Sequence, residues 1–299
     1  MNHNLLVENF LEVLASEKGL SSNTLHSYKN DLDQFIDFIQ KKNLELTKFK
    51  DRDINEFVSQ FKDRGYERST IARKISSLTH FFKFLLDEKE IKINPLRNFE
   101  IPKKTKKLPI ILSSTHIDKI LEFTKKDRSV PGIRLYTMIE ILYATGIRVS
   151  ELVEMKLSSV YEDKNFLLIS GKGNKERLAP IGNAAIKLIK EYITEYRNNQ
   201  NIKKGSEDIL FLNRRGSQLT RVMIFTIVKK IAKSAGIKKN ISPHTFRHSF
   251  ASHLLEGGAD LRIIQDILGH ENITTTEIYT HLDKEFIKEA ILQFHPRSK

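Results

Sequence analysis

The stretch Ser242-Pro243-His244-Thr245-Phe246-Arg247-His248 reads as the start of a helix that carries an anion site. Serine is a good N-cap and proline suits the first helical position. His244 and Arg247 then stand three residues apart, in the first turn and on one face. Unpaired backbone N–H groups and the helix dipole favour an anion at such an end. Phe246, Phe250 and Leu254 form the buried stripe of the same helix, and His248 and His253 are read as surface or structural groups. Downstream come Leu268-Gly269-His270, with His270 26 residues beyond His244, and Ile278-Tyr279, with Tyr279 nine residues further on. Gly269 is placed to end a helix, so His270 can point into a pocket. Arginine to hold phosphate oxygens, histidine to share protons and a phenol to attack make up the apparatus for breaking a phosphodiester without a metal ligand set. A tyrosine with an ordinary pKa near 10 needs help losing its proton, and a histidine supplies it.

Two further segments complete the set. In Ala144-Thr145-Gly146-Ile147-Arg148-Val149-Ser150-Glu151-Leu152 a helix stops at Gly146, and Arg148 sits at the junction with a new helix. A guanidinium fork suits two phosphate oxygens. Glu151 and Glu154 are read as exposed helix residues, with buttressing of Arg148 as the other option. In Gly171-Lys172-Gly173-Asn174-Lys175-Glu176-Arg177 a hairpin carries Lys172 at its tip, where an ammonium can swing into a cleft. Lys175 and Arg177 are expected to touch backbone phosphates or only water.

The rest of the chain frames these segments. Its 299 residues suffice for two domains, and 39% hydrophobic with 29% charged residues is ordinary for a globular protein. No apolar run is long enough to span a membrane. The start lacks the basic-then-apolar pattern of a signal peptide, so a cytoplasmic location is expected. The absence of cysteine excludes disulfides, thiol catalysis and cysteine zinc sites. Charge is divided unevenly. Residues 1–100 carry 16 Lys/Arg and 16 Asp/Glu; residues 101–299 carry 34 and 21, the whole of the net +13. A basic domain is the usual electrostatic footprint of nucleic-acid binding.

Apolar residues at spacings of three and four predict helices over 24–39 (Leu25, Tyr28, Leu32, Phe35) and 67–86 (Ile71, Ile75, Leu78, Phe82, Leu85), with two more near 4–17 and 52–64. Ser22 or Asn23 is expected to cap the helix over 24–39. Residues 1–88 thus read as a four-helix domain. Residues 89–109 are a linker, broken by Asn94-Pro95, Ile101-Pro102 and Leu108-Pro109 around Lys103-Lys104-Thr105-Lys106-Lys107. The basic domain beyond it favours a linker that lies along phosphates over one that is merely solvated. Residues 110–299 read as mixed but mainly helical, with a hairpin over 165–181 and helices near 131–145, 183–198, 220–235, 243–256, 260–268 and 283–293.

Together these segments resemble the tyrosine recombinase, or phage integrase, family over nearly the whole chain. Asn23-Thr24-Leu25, Tyr28 and Asp31-Leu32 are similar to its helical DNA-clamp domain. Order, spacing and the terminal Phe294-His295-Pro296-Arg297 are most similar to the Xer chromosome-dimer recombinases, and Gly65-Tyr66 and Gly257-Gly258-Ala259-Asp260-Leu261-Arg262 lean toward their D-type subunit. The resemblance implies a mainly α fold with a small β-sheet: a two-domain DNA clamp of an amino-terminal four-helix, SAM-like core-binding domain and a mixed α/β catalytic domain. It implies that Arg148 and Arg247 bind the non-bridging oxygens of the scissile phosphate and that Lys172 protonates the departing 5′ oxygen. His244 would act as acid and base, His270 would hydrogen-bond the phosphate, and Tyr279 would form a 3′-phosphotyrosyl bond. No cofactor, metal or ATP is implied. The partners implied are double-stranded DNA with a dif-like core site, a second Xer-type recombinase in a heterotetramer, and a septal DNA translocase. The helix near 283–293, with Phe286, Ile287, Ala290, Ile291 and Phe294, would dock on a neighbouring protomer. Strand exchange through a Holliday junction would resolve chromosome dimers. A mobile-element integrase is the neighbouring reading, disfavoured because the clamp pattern begins almost at residue 1. A non-catalytic DNA-binding protein on the same fold has no need of Lys172 or Tyr279.

Overall fold

A computed structural model of the protein describes residues 3–16, 20, 22–97, 99, 109–171, 176–269, 289–291 and 293–297. The chain divides into two compact units, Met1–Lys107 and Leu108–Lys299. In the first, α1 (His3–Ser16), α2 (Ser22–Lys41), α3 (Asp51–Asp63) and α4 (Arg68–Asp87) surround an aromatic core. Their apolar stripes meet at Phe10, Phe35, Phe49, Phe57, Phe81 and Phe82, with Phe35 packed edge-on against Phe49, Phe57 and Phe82 at centroid distances of 5.1, 5.4 and 5.6 Å. Edge-to-face packing sets the positive rim of one ring against the negative face of another. Helix α2 begins at Ser22, so Ser22 and Asn23 lie inside its first turn and not at its cap.

One polar cluster is sealed into this unit. Asp31, on the inner face of α2, is 1% exposed. It accepts hydrogen bonds from Lys74 Nζ at 3.0 Å, Ser77 Oγ at 2.9 Å and the Arg73 guanidinium, all from α4. Lys74 also donates to Gln34 Oε1 at 2.9 Å and sits 4.9 Å from the centre of the Phe61 ring. A buried carboxylate is tolerated when its lone pairs are answered in this way.

The second unit is built around α6 (Val130–Thr145), a helix apolar on nearly every side and buried along almost its whole length. Ser129 caps it and Pro131 opens it. Around it lie α5 (Ser114–Lys125), α8 (Asn183–Glu191, continued by a wider π-helical turn at Tyr192–Arg197) and α10 (Pro243–Glu256). Helix α7 (Val149–Glu154) packs on α9 (Arg221–Ser234), and α11 (Leu261–Leu268) packs on α10. A small antiparallel sheet, in the order β1 (Val160–Tyr161), β2 (Phe166–Ser170), β3 (Glu176–Pro180), supplies the predicted hairpin, with Ser170 opposite Glu176 and Ile169 opposite Arg177. Helix α5 and strand β1 are additions to the elements expected from the sequence.

The carboxyl-terminal residues return to the second unit. Ala290 and Ile291 are buried, and Ile291 and Phe294 join a small apolar cluster with Phe250, Leu254 and Ile264. The described part of the helix expected to reach a neighbouring protomer is therefore seated on its own chain, while Phe286 and Ile287 lie outside the described residues. Beyond it, Arg297 forms a two-bond ion pair with buried Glu140 of α6 (3.0 and 2.8 Å).

Candidate active site

The junction between α6 and α7 is fixed by Gly146. Its φ is +61°, the left-handed conformation that stops a helix, and a Cβ there would lie 2.4 Å from the Phe250 ring. Two residues later Arg148 becomes the N-cap position of α7. Its backbone N–H donates to Glu151 Oε2 at 2.7 Å, and its Nη1 donates to Glu151 Oε1 at 2.9 Å. The Arg148 side chain remains 36% exposed, so it is both anchored and accessible.

Arg247 comes from the first turn and a half of α10, behind Ser242 and Pro243 as the sequence predicts. It is 8% exposed and is held by two backbone carbonyls, Gly146 O at 2.8 Å and Leu268 O at 2.7 Å. Burial, and then the neighbouring charges of Arg148 and Arg177, push its pKa down to about 10, with Glu151 opposing. It remains a cation at neutral pH.

Arg148 Nη2 donates to Gly269 O at 3.0 Å. Arg148 and Arg247, distant in sequence, thus converge on adjacent carbonyls at the end of α11. A helix end leaves its last carbonyls without intrahelical partners, and arginines answer them here. Gly269, at φ +65°, closes that helix.

His244 stands on the exposed side of the same α10 turn, with its ring 6.2 Å from that of Phe225 on α9. Partial desolvation, then the positive fields of His248, Arg247 and Arg148, lower its pKa, so the neutral imidazole is favoured near pH 7. A neutral ring can take a proton, as a general base must. His253 is buried, with its Nδ1 2.7 Å from the Tyr143 hydroxyl, and is structural. His248 is exposed.

Lys172, His270 and Tyr279 lie outside the described residues. The structure therefore brings together Arg148, Arg247 and His244 of the six predicted positions.

Two sequence readings are corrected. Glu151 is 5% exposed, not a solvated helix residue, whereas Glu154 is exposed as expected. Arg177 does not reach for solvent or phosphate: its Nη1 and Nη2 each donate to Glu151 at 2.8 Å, and its Nε donates to Ile267 O at 3.2 Å. Burial alone would raise the Glu151 pKa. The hydrogen bonds and charge of Arg177, then the Arg148 N–H and side chain, outweigh it and hold the carboxylate below its usual range. The sequence signal for this pair was the outward-or-inward choice of one arginine on a strand, which spacing alone does not settle. Among the described residues no cluster of three or more His, Asp or Glu side chains is arranged to hold a metal ion.

The pattern of the phage integrase family matches residues 111–285, and that of its amino-terminal SAM-like domain matches residues 7–89. The chain belongs to the phage integrase family. It is a XerD-type tyrosine recombinase, an enzyme of site-specific DNA recombination. The recombinase is 42% identical over 294 residues to the tyrosine recombinase XerD of Oceanobacillus iheyensis, covering 98% of each chain. It is 43% identical over 293 residues to XerD of Chlorobaculum tepidum, covering 97% of this chain and 96% of that one. Among solved structures, XerH bound to palindromic difH in a post-cleavage complex superposes with a TM-score of 0.71 at 27% identity, over 96% of this chain and 84% of that one. A lambda integrase dimer on a COC′ core site shares the fold, with a TM-score of 0.69 at 19% identity over 93% and 98% of the two chains. No helix among the described residues of the recombinase is long and apolar enough to cross a membrane.

Proposed function

We propose that this recombinase binds a double-stranded, dif-like core site and cuts and rejoins it through a 3′-phosphotyrosyl bond on Tyr279. The observation that carries the reading is the convergence of Arg148 and Arg247, 99 residues apart in sequence, at one helix end. Among the described residues, each guanidinium spends two of its N–H groups on protein acceptors. A guanidinium has five such donors, which leaves capacity for the two non-bridging oxygens. Charge development on those oxygens is what pre-organised donors stabilise, and losing one typically costs about 3 kcal/mol, or roughly a hundredfold in rate.

In this mechanism Tyr279 attacks phosphorus, the 3′ phosphate becomes bonded to the phenol oxygen, and the 5′ oxygen leaves with a proton from Lys172. His244, neutral at rest, takes the tyrosine proton, and His270 hydrogen-bonds the phosphate. The diester energy is kept in the protein–DNA bond, so rejoining needs neither ATP nor metal. The XerD relatives and the DNA-bound XerH structure support the wider reading. Two core sites meet in a heterotetramer with a second Xer-type recombinase, strands exchange through a Holliday junction, and chromosome dimers are resolved in the cytoplasm at division with a septal DNA translocase. In that assembly the carboxyl-terminal helix would leave the seat that Ala290 and Ile291 occupy on their own chain and dock on the neighbouring protomer.

The test uses a nicked duplex bearing a dif-type core, with wild type and Tyr279→Phe compared on a denaturing gel, alone and with a partner recombinase. The nick lets the cleaved fragment diffuse away, so a covalent protein–DNA band from wild type only is the expected result. Binding by both proteins with no band from either, partner included, would favour a non-catalytic DNA-binding protein.

A further inference from the structure

Three successive carbonyls close helix α11, and each accepts from a different arginine. Ile267 O accepts from Arg177 Nε at 3.2 Å, Leu268 O from Arg247 Nη2 at 2.7 Å, and Gly269 O from Arg148 Nη2 at 3.0 Å. Arg247 and Arg148 belong to the proposed phosphate site. Arg177 does not: its side chain is only 12% exposed, and its Nη1 and Nη2 each donate to Glu151 in a fork-to-fork pair. The same Glu151 carboxylate grips Arg148 through both its backbone N–H and Nη1. Arg177 therefore holds the anchor of Arg148 with one edge and, with the other, the carbonyl next to those that receive Arg247 and Arg148.

The strand that supplies Arg177 adds a third connection. Arg177 is the second residue of β3 and pairs with Ile169 on β2, close to the end of the hairpin. Its stem lies against Gly269: a Cβ on that glycine would come within 3.2 Å of Arg177 Cδ and 3.4 Å of Nε. One side chain thus ties the hairpin base, the α7 carboxylate and the α11 end into one block. A lysine cannot reproduce this, since it lacks the planar fork and the separate Nε donor.

We propose that Arg177 is a positioning residue for strand cleavage: it sets the Arg148 guanidinium through Glu151 and, through Ile267 O, holds the end of α11 whose next two carbonyls receive Arg247 and Arg148. The proposal rests on the recombinase reading above and makes a claim that DNA binding alone does not. Removing Arg177 leaves Glu151 with one cation instead of two. Arg148 then follows a looser carboxylate, and misplacement by about 1 Å at a reacting group is worth up to a hundredfold in rate.

The experiment compares wild type, Arg177→Gln and Arg177→Lys on the nicked core duplex, measuring DNA affinity and single-turnover cleavage. Each is run with a natural scissile phosphate and with a methylphosphonate in its place. The methyl group removes the negative charge that Arg148 is positioned to meet. On the natural phosphate, Arg177→Gln is expected to cleave tens of times more slowly at nearly unchanged affinity, and Arg177→Lys to recover only part of the loss. On the methylphosphonate the gap between wild type and either variant is expected to shrink to within about threefold, because the misplaced arginine no longer has a charge to neutralise. A purely structural defect slows both substrates equally, and that result overturns the proposal. A loss of affinity that parallels the loss of rate also overturns it, making Arg177 a DNA contact. If Arg177→Gln does not fold, full activity of a folded Arg177→Lys overturns the fork geometry by itself. A wild-type control that binds both substrates but forms no covalent band on either, partner recombinase included, would instead overturn the recombinase reading beneath it.

Discussion

In the amino-terminal unit Asp31 is 1% exposed and gathers Lys74, Arg73 and Ser77; in the catalytic unit Glu151 is 5% exposed and gathers Arg177 and Arg148. The two clusters share their chemistry, a buried carboxylate answered by two cations. They differ in where the cations lead. Lys74, the fully enclosed partner of Asp31, is 4% exposed and turns its remaining donors to Gln34, so the charge is consumed inside the helical bundle. Arg148, a partner of Glu151, is 36% exposed and extends toward the end of α11. A buried carboxylate whose cations both come from one facing helix, as Lys74 (4% exposed) and Arg73 (43% exposed) of α4 do for Asp31, fastens two helices. One whose cation reaches on to another element, as Arg148 does, fixes the aim of a working group.

The sharpest way to break this contrast is to neutralise each carboxylate in turn. Asp31→Asn leaves Lys74 enclosed without its counter-charge, a situation that typically costs about 4 kcal/mol. Amide exchange in α2 and α4 should then quicken by about a thousandfold, at roughly 1.4 kcal/mol per decade, while cleavage by the folded fraction stays near wild type. Glu151→Gln should do the reverse. Arg148 is partly open to solvent and can be rehydrated, so stability changes less, but cleavage should fall by about a hundredfold as Arg148 loses its aim. Equal effects on stability and cleavage in both variants would show that the two clusters do the same job.

How much of this was legible beforehand differs between the clusters in the same way. The α10 start, the Gly146 stop and the Arg148 junction were readable because each is a local event: a cap, a left-handed glycine, a proline at the first turn. Helices α2 and α4 were readable from their 3.6-residue stripes. What spacing could not show was pairing between elements. Arg177 and Glu151 are 26 residues apart, on a strand and a helix, and nothing in either segment names the other. Asp31 was visible only as part of a family-like pattern, and its partners lie more than forty residues away. Helix α5 went unread because its buried face, Ile117, Ile120, Leu121 and Thr124, is short and follows a proline-broken segment.

A third buried site shows the opposite solution, a titratable ring kept neutral. His295 lies between the rings of Tyr143 and Phe250, at centroid distances of 4.8 and 5.1 Å, with His253 on α10 and Arg297 beside it. Burial first, then the fields of His253 and Arg297, push its pKa down to about 3 against a weaker opposing backbone contact with Tyr143. The unfolded chain takes up this proton near pH 6.5, and the folded chain resists until about 3. Stability is therefore complete above about pH 6.5 and declines as pH falls toward 3, with roughly 2–3 kcal/mol lost by pH 4.5. A His295→Gln variant, with nothing to protonate at that position, should flatten this part of the acid limb in urea unfolding run from pH 7 to 4.5. An unchanged slope would place the acid sensitivity on the carboxylates instead.

The smallest effect comes from an ion pair that looks as good on distance alone. Arg128 Nη2 stands 2.7 Å from Glu191 Oε1, closer than either Arg177–Glu151 contact, but the side chains are 59% and 36% exposed. In water the Coulomb gain is nearly cancelled by the cost of ordering two long side chains, so Arg128→Ala should lower stability by less than about 1 kcal/mol. Its effect should fade further in 0.5 M salt, where exposed charges are screened, while most of the Asp31→Asn deficit persists because Asp31 and Lys74 are enclosed. Unfolding of both variants at low and high salt makes the comparison direct. If Arg128→Ala proved as costly as Asp31→Asn, contact distance and not burial would govern these carboxylates. The burial of Asp31 and Lys74 would then not be what makes their cluster costly to break.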